Sequence, residues 1–368
     1  MCKWWVWVLS IVFLYLLYSA ITSSGNEGAL LARYDIYLEK FNKSYKNNLT
    51  EYKIRFGHFV ASVREIDELN ALSRGSDEYR ALYGLTKLSD MSKSEYKNIH
   101  LSDERILKSP EAYGKSWREA IAKLIYYRDK SRHKGQRFHD TPVYERKKRA
   151  LLPLQVDWRS KGVIGPVRNQ GLCGACWAFS TIGTVEAMAA IKNGKLETLS
   201  VQEAIDCAGM GNSGCAGGDI CLLLDWLMLS NTPVELDKEY PLRLASGTCS
   251  VKKNGTGVRI ASFTCDEFVG AEDKILQALA THGPVTVAVN ALTWQNYLGG
   301  VIQYHCSGSA LDLNHAVELV GYDLSAEVPY YIAKNSWGQD FGLDGYLHLA
   351  IGSNICGLAN EVATVAVK

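Results

Sequence analysis

Residues 168–180 of this chain read RNQGLCGACWAFS and hold two cysteines, Cys173 and Cys176, three positions apart with Trp177 directly after them. Such a pair can be a redox couple, half of a zinc site, or one bridged sulfur beside one reactive sulfur. A zinc site needs a second closely spaced Cys/His pair. Cys207 and Cys215 are too widely spaced and glycine-surrounded, and His305 and His315 lack ligand spacing, so no metal is expected. A thioredoxin-like couple would follow a strand in a βαβ unit, and that pattern is missing here. A nucleophile with a structural neighbour remains. The thiolate is the reactive form, and a helix N-terminus favours it. The apolar run from Trp177 predicts a long buried helix to Ile191, stopped by Asn193 and Gly194. Cys176 directly precedes that helix and is the better nucleophile. Cys173, in the glycine-flanked turn before it, is the better bridge.

The elements that must position this sulfur lie on both sides of it. The net charge of +1 hides an asymmetry: acids outnumber bases from Ala150 onward, and the reverse holds before it. Two parts of opposite charge attract each other. The basic excess does not sit on a folded aromatic platform, so nucleic acid is not an expected partner. Residues 1–23 begin MCKWWVWVLSIVFLYLLYSA, one lysine and an apolar run with Ser19 and Ala20 near a plausible cut. That pattern reads as a secretory signal peptide in preference to a membrane anchor. The expected location is the secretory pathway, ending in a lysosome or outside the cell. Disulfides are permitted there. Nine of the ten cysteines lie from Cys173 onward, and an odd number leaves at least one thiol unpaired within a single chain. Asn42, Asn48 and Asn254 open N-x-S/T sequons, the acceptors of N-glycosylation.

Residues 24–101 are polar with a helical pattern. The run EYKIRFGHFVASVREIDELN places Ile54, Phe59, Val63, Ile66 and Leu69 near one helix face, and Ser92 to Glu95 forms a capping-box pattern. Residues 102–150 are rich in Lys, Arg and His and end in ERKKR, as a solvated linker does. An exposed linker is also where proteases cut, and Arg146 to Arg149 suits a convertase. Residues 151–368 have the texture of a folded domain. Helices are expected at Ser200 to Cys207 and from Asp219 to Leu229. Strands follow in PVTVAVNA, HAVELVGYD, PYYIAKNSWG, DGYLHLAI and EVATVAV. Helices first and strands second make an α+β arrangement of two lobes with a cleft between them.

Three separated segments in order, NQGLCGACWAFS, NHAVELVGYD and KNSWG, resemble the signatures of papain-like cysteine proteases. The resemblance spans nearly the whole chain after the first residues. It implies a papain-like fold with a helical left lobe, a β-barrel-like right lobe and a helical N-terminal inhibitory pro-domain. It implies a zymogen whose Cys176 thiolate attacks peptide carbonyls through an acyl-enzyme thioester. His315 would be the general base and ion-pair partner, with Asn335 orienting its ring. Gln170 and the Cys176 backbone N–H would form the oxyanion hole. Trp337 would cover the His315–Asn335 contact. Taken singly, a histidine in a strand or an asparagine before Ser-Trp-Gly reads as structural; the four types in order reverse that. His315 and Asn335 lie 139 and 159 residues after Cys176. The family interval is roughly 130–150, so a short insertion is implied, with SGSALDL a candidate.

The same resemblance pairs Cys173 with Cys215, Cys207 with Cys249 and Cys306 with Cys356. Cys221 and Cys265 are left over, either as a pair or as two buried thiols. In the pro-region Glu51, Arg55, Phe59, Ile66 and Asn70 match an interrupted helix motif, with Ser62 departing from it. Gly84 and Asp90 match the ends of a second motif, with Thr86 and Leu88 departing in its middle. Gly217 and Gly218 would let a substrate strand pair closely. Asp219, Ile220, Ala288, Leu313, Ala316 and Glu361 would line the main specificity pocket. It suits a hydrophobic side chain two residues before the cut, and its two acids admit Arg or Lys as well. No occluding insertion is visible, which implies an endopeptidase. Implied partners are protein and peptide substrates, the chain's own pro-peptide and cystatin-type inhibitors, with a monomeric state and no cofactor. Acid pH would loosen the attraction between the two parts. The alternative is a catalytically silent homologue that binds or inhibits, against which the four catalytic positions argue. WQNYLGGVIQYHC and GSNICGLA point to one subgroup within the family.

Overall fold

The computed structural model describes residues 28–72, 80–101, 152–251 and 255–368. The expected signal peptide, the processing linker with Arg146 to Arg149, and Asn254 lie outside them. Among the described residues no helix is long and apolar enough to cross a membrane.

The N-terminal part is built on helices α1 (residues 28–40), α2 (Leu49–Leu72) and α3 (Lys93–His100). Helices α1 and α2 close over an aromatic core of Tyr34, Tyr37, Leu38, Phe59 and Val63. Phe59, Val63, Ile66 and Leu69 are buried as expected, but Ile54 is 54% exposed. Five residues at 100° each put Ile54 about 140° away from Phe59 around the axis, which is the opposite face. Ser62 is buried on the inner face, where a small side chain fits. Arg55 links Glu51 of its own helix to Glu95 of α3, and Asp90 receives Lys43 Nζ at 2.9 Å and the Tyr45 hydroxyl. The Ser92–Glu95 capping box forms in both directions, at 3.1 and 2.8 Å.

In the C-terminal part, from residue 152 onward, α4 (Cys176–Asn193) is the axis. Every residue from Cys176 to Ala190 is buried, so this helix is apolar on all sides because it is covered on all sides. It stops at Gly194 in the left-handed region, φ 69°, as a C-terminal glycine does. It runs two residues beyond the expected end, and Cys176 is its first residue rather than the one before it. Helix α5 (Val201–Cys207) is capped by Ser200, and α6 (Ile220–Ser230) by Asp219. Helix α7 (Asp273–Thr281) lies later, against the sheet.

The strands are β1 (Leu82–Tyr83), β2 (Gln155–Asp157), β3 (Ile260–Asp266), β4 (Val285–Val289), β5 (Tyr297–Gly299), β6 (Val301–Ile302), β7 (His315–Asp323), β8 (Tyr330–Lys334), β9 (Tyr346–Ala350) and β10 (Val362–Val367). The large sheet runs β3-β10-β4-β7-β8-β9-β6, with β2 also on β7. Strand β1 of the pro-region pairs antiparallel with β5 of the catalytic part. Asn70 holds β1 in place, donating to the Tyr83 carbonyl at 2.8 Å and accepting from its N–H at 3.0 Å.

Two cores result. One gathers α4, α5 and α6, and the other gathers the sheet with α7 and the pro-region's α3. The division into helices first and strands second holds with three exceptions. Helix α7 falls between β3 and β4. β2, at the start of the catalytic part, joins the sheet. One face of β10 (Ala363, Val365, Val367) belongs to the helical core. The chain therefore straps its lobes together at both ends.

Four disulfides complete the frame: Cys173–Cys215, Cys207–Cys249, Cys306–Cys356 and Cys221–Cys265. The first three are the pairs expected, and the fourth settles the two left-over cysteines as a pair tying α6 to β3. Each contributes about 2–4 kcal/mol by restricting the unfolded chain. Among the described residues Cys176 alone stays outside a disulfide.

Candidate active site

Cys176 opens α4, and Ala175 before it offers no side-chain cap. The first-turn N–H dipoles therefore favour negative charge on the sulfur. Helix α4 packs on β7. Cys176 and Ala316, the residue after His315, lie in one buried cluster. Helix α4 and the start of β7 are thus packed together across the lobe boundary.

His315 opens β7, opposite Val289 of β4, and Asn335 directly follows β8. The antiparallel register Glu318↔Lys334 brings those strand ends together. His315 Nε2 and Asn335 Oδ1 are 2.8 Å apart. An amide oxygen only accepts, so Nε2 carries the proton and Nδ1 is left as the basic nitrogen. Nδ1 is buried without a hydrogen-bond partner. The Trp337 ring lies 4.8 Å from the His315 ring and Trp294 meets it edge-on at 5.9 Å, so the His315–Asn335 pair is roofed by indole. Burial pushes His315 down to about 4. Under the pro-region its imidazole is neutral.

Gln170 is fully buried. Its Oε1 accepts from Ser336 Oγ at 2.6 Å, and its N–H donates to the Ser336 carbonyl at 2.8 Å. Its Nε2 donates to the Cys173 carbonyl at 3.0 Å and to the His100 carbonyl of the pro-region at 3.4 Å. Ser336 is a positioning residue that sequence reasoning passed over, although it stands inside KNSWG beside Asn335. Its hydroxyl aims the Gln170 amide, and no spacing rule announces that.

The pro-region packs against Trp337, Gln170 and Gln295 of this assembly. Tyr96 of α3 lies 5.7 Å from Trp337 and donates its hydroxyl to the Ala291 carbonyl at 2.7 Å. His100 lies 5.6 Å from Trp337 and is 6% exposed. Gln295 donates to the Leu88 and Met91 carbonyls at 2.8 and 3.0 Å, and Thr86 Oγ1 donates back to the Gln295 carbonyl at 2.8 Å. The departing residues of the second pro-motif thus keep contacts: Thr86 by this bond, and Leu88 by burial in the sheet core. At Gly84 an added Cβ would stand 2.5 Å from the end of the Leu298 side chain, which would have to shift.

The residues expected to line the specificity pocket fall mostly in one place. Ile220 and Ala316 share the helical core, Ala288 packs against it, and Ala288 is the register partner of Ala316. The Ala288 N–H donates to the Glu361 carbonyl at 3.1 Å. Carboxylate oxygens of Asp219 and Glu361 lie within 4.8 Å of each other. The Cys221 sulfur is close to both but is bound to Cys265, which removes it from any donor set. Asp219 also caps α6, accepting from Leu222 N–H at 2.8 Å. Leu313 stands two residues before His315 and packs toward Gly357. Gly217 has φ 126°. Gly218 has a reason beyond strand pairing: a Cβ there would meet the Trp177 ring at 2.6 Å. Asn42 and Asn48 are exposed on the pro-region, and Asn48 Oδ1 accepts from Glu51 N–H at the start of α2.

Beneath the site, Arg168 Nη2 meets Glu186 at 2.9 Å and Lys334 Nζ meets Glu318 at 3.4 Å. Burial raises both carboxyls above their ordinary range. Gly183 of α4 leaves room for this quartet, since a Cβ there would lie 2.7 Å from Glu318 Oε2.

A two-lobed fold with a thiol at the head of the central helix, an amide-held imidazole on the adjoining sheet and an N-terminal helical segment packed on both defines a cysteine peptidase zymogen. Residues 152–366 match the papain family of cysteine proteases and residues 34–96 match the cathepsin propeptide inhibitor domain, I29. The chain belongs to the papain family of cysteine proteases. Among similar proteins, cathepsin O of Mus musculus is 44% identical over 217 residues, 59% of this chain and 69% of that protein. Cathepsin O of Homo sapiens is 45% identical over the same share of this chain and 67% of its own length. It is this subgroup that the WQNYLGGVIQYHC and GSNICGLA segments resemble. Cysteine proteinase 1 of Dictyostelium discoideum is 30% identical over 97% of this chain and 99% of its own. The solved structure of digestive procathepsin L2 proteinase from Tenebrio molitor larval midgut superposes with a TM-score of 0.72 at 27% identity, covering 92% of this chain and 99% of that one. These matches support a protease made with its own inhibitory propeptide and acting on protein substrates, and nothing among them supports a silent binding protein.

Proposed function

We propose that Cys176 is the nucleophile of this peptidase, His315 its general base and acid, Asn335 the group that orients His315, and Gln170 with the Cys176 N–H the oxyanion hole. The observation that carries this reading is the 2.8 Å bond from His315 to Asn335, which leaves Nδ1 for the sulfur at the head of α4. With the pro-region gone, the proton of Cys176 passes to Nδ1 and the sulfur attacks the substrate carbonyl. The carbonyl oxygen takes negative charge, and Gln170 Nε2 donates to it in place of the His100 carbonyl. His315 then protonates the departing amine. Water, deprotonated by the same nitrogen, cleaves the thioester. Neutral Asn335 fixes the ring without adding charge.

Residues 24–101 act as the inhibitory pro-domain, 102–150 as the processing linker and 151–368 as the peptidase domain. The enzyme travels the secretory pathway as a monomer to a lysosome or the outside, is open to cystatin-type inhibitors, and cuts within chains. The Asp219–Glu361 pair gives its main pocket a negative floor beside the apolar Ile220, Ala288 and Ala316. Arg is then accepted there as well as Phe, and Glu361→Ala lowers the Arg-to-Phe ratio of kcat/KM. An unchanged ratio removes the acidic floor from the account. For the mechanism, the activated protein is treated with an epoxide thiol trap and the adduct mapped by mass spectrometry. Cys176 is the expected site, and His315→Ala slows its labelling. An adduct elsewhere, or peptide hydrolysis surviving in Cys176→Ala, overturns the assignment.

A further inference from the structure

The pro-region places the Lys87 cation against the catalytic part beside Trp337. Lys87 Nζ lies 2.7 Å from Asp340 Oδ1 and donates to the Trp337 carbonyl at 3.2 Å. Trp337 is the residue whose ring roofs His315. Gly338 makes the turn between them at φ 87°. An added Cβ there would stand 2.9 Å from Asp340 Oδ1 and 3.6 Å from Lys87 Nζ, so the turn folds the carboxylate back toward the carbonyl. The turn is fixed from below: Gly338 N–H donates to the Arg168 carbonyl at 3.1 Å, and the Phe341 ring packs 4.8 Å from that of Trp337. Among the described ion pairs Lys87 is the cation at Asp340. When the pro-region leaves, a carboxylate and a backbone carbonyl stay behind as two acceptors aimed at one point.

We propose that Asp340 and the Trp337 carbonyl form a cation subsite for the leaving-group half of the substrate, which selects Lys or Arg just after the cut and which Lys87 fills in the zymogen. The inference rests on the peptidase reading above. The acyl half belongs to the helical lobe, beside Gly217, Gly218 and the Asp219–Glu361 pocket. The departing amine is protonated by His315 and leaves over the sheet lobe, where Trp337 and Asp340 stand. The site is partly open, with Asp340 62% exposed and Lys87 31%. Exposed pairs are weak, and the selection is correspondingly modest, about two- to fivefold in kcat/KM.

The test uses activated enzyme and internally quenched peptides identical except at the first and second residues after the cut, which carry Lys, Met or Glu. Wild type cleaves the Lys peptide faster than the Met peptide and the Glu peptide slowest, and added salt narrows the spread. Asp340→Asn brings the Lys-to-Met ratio close to one. A ratio unchanged in Asp340→Asn, or a wild type indifferent to Lys and Met, overturns the subsite and leaves Asp340 only a latch for the pro-region. Failure of the peptidase reading shows itself differently, as no hydrolysis of any peptide in the series.

Discussion

Two polar interfaces of this molecule use similar side chains for opposite ends. Between the lobes, Glu186, Glu318 and Lys334 are buried and Arg168 is part-buried, with Glu186 and Glu318 each 2% exposed. Between the pro-region and the catalytic part, the Lys87–Asp340 pair is partly solvated, and the remaining bonds run largely to backbone carbonyls. A buried charge stripped of its partner costs several kcal/mol, whereas a solvated one re-pairs with water. The first interface is therefore permanent and the second detachable. The difference is written in exposure and not in residue type.

The sharpest way to break the comparison is Lys334→Ala, which leaves the Glu318 carboxyl buried without its cation. Denaturant unfolding of the mature part should show a loss of about 3–5 kcal/mol. A loss below about 1 kcal/mol, the scale of a solvated pair, would erase the distinction. A smaller effect sharpens the detachable side. His100 is held down to about 4, first by burial and then by the Lys87 charge, with His315 also facing it. Released from the cleft it returns to the ordinary 6.5 or so. Its contribution to holding the pro-region is whole above 6.5. It falls as pH drops from there to about 4, at about 1.4 kcal/mol per pH unit and about 3 kcal/mol in all. Pro-region release, followed as the rate of Cys176 labelling against pH in the uncleaved zymogen, should steepen below pH 6.5. His100→Phe keeps the apolar ring and should flatten that profile. An unaltered profile would assign acid release to the carboxylates alone.

The proposed catalytic positions are legible because each sits in a local motif whose chemistry limits the residue type. Cys176 stands at a helix start, His315 at a strand end and Asn335 at the adjoining strand end. What lay beyond reading was decided by tertiary neighbours. Glu186 and Glu318 look like surface acids until α4 and β7 close over them. Cys221 and Cys265 are chemically identical to free thiols, and only the approach of α6 to β3 makes them a pair. Strands β1 and β5 are two and three residues long, too short for any alternation to show, yet they join the pro-region to the enzyme. Ile54 is exposed although it is apolar and near the others in sequence, because five residues do not return to the same helix face.

The fourth bridge has a use beyond stability. With Cys221 tied to Cys265, eight of the nine cysteines between residues 152 and 368 are oxidised and the ninth is buried in the zymogen. Reactive sulfhydryl in this part of the molecule is then a counter of maturation that reads zero with the cover on and one with it off.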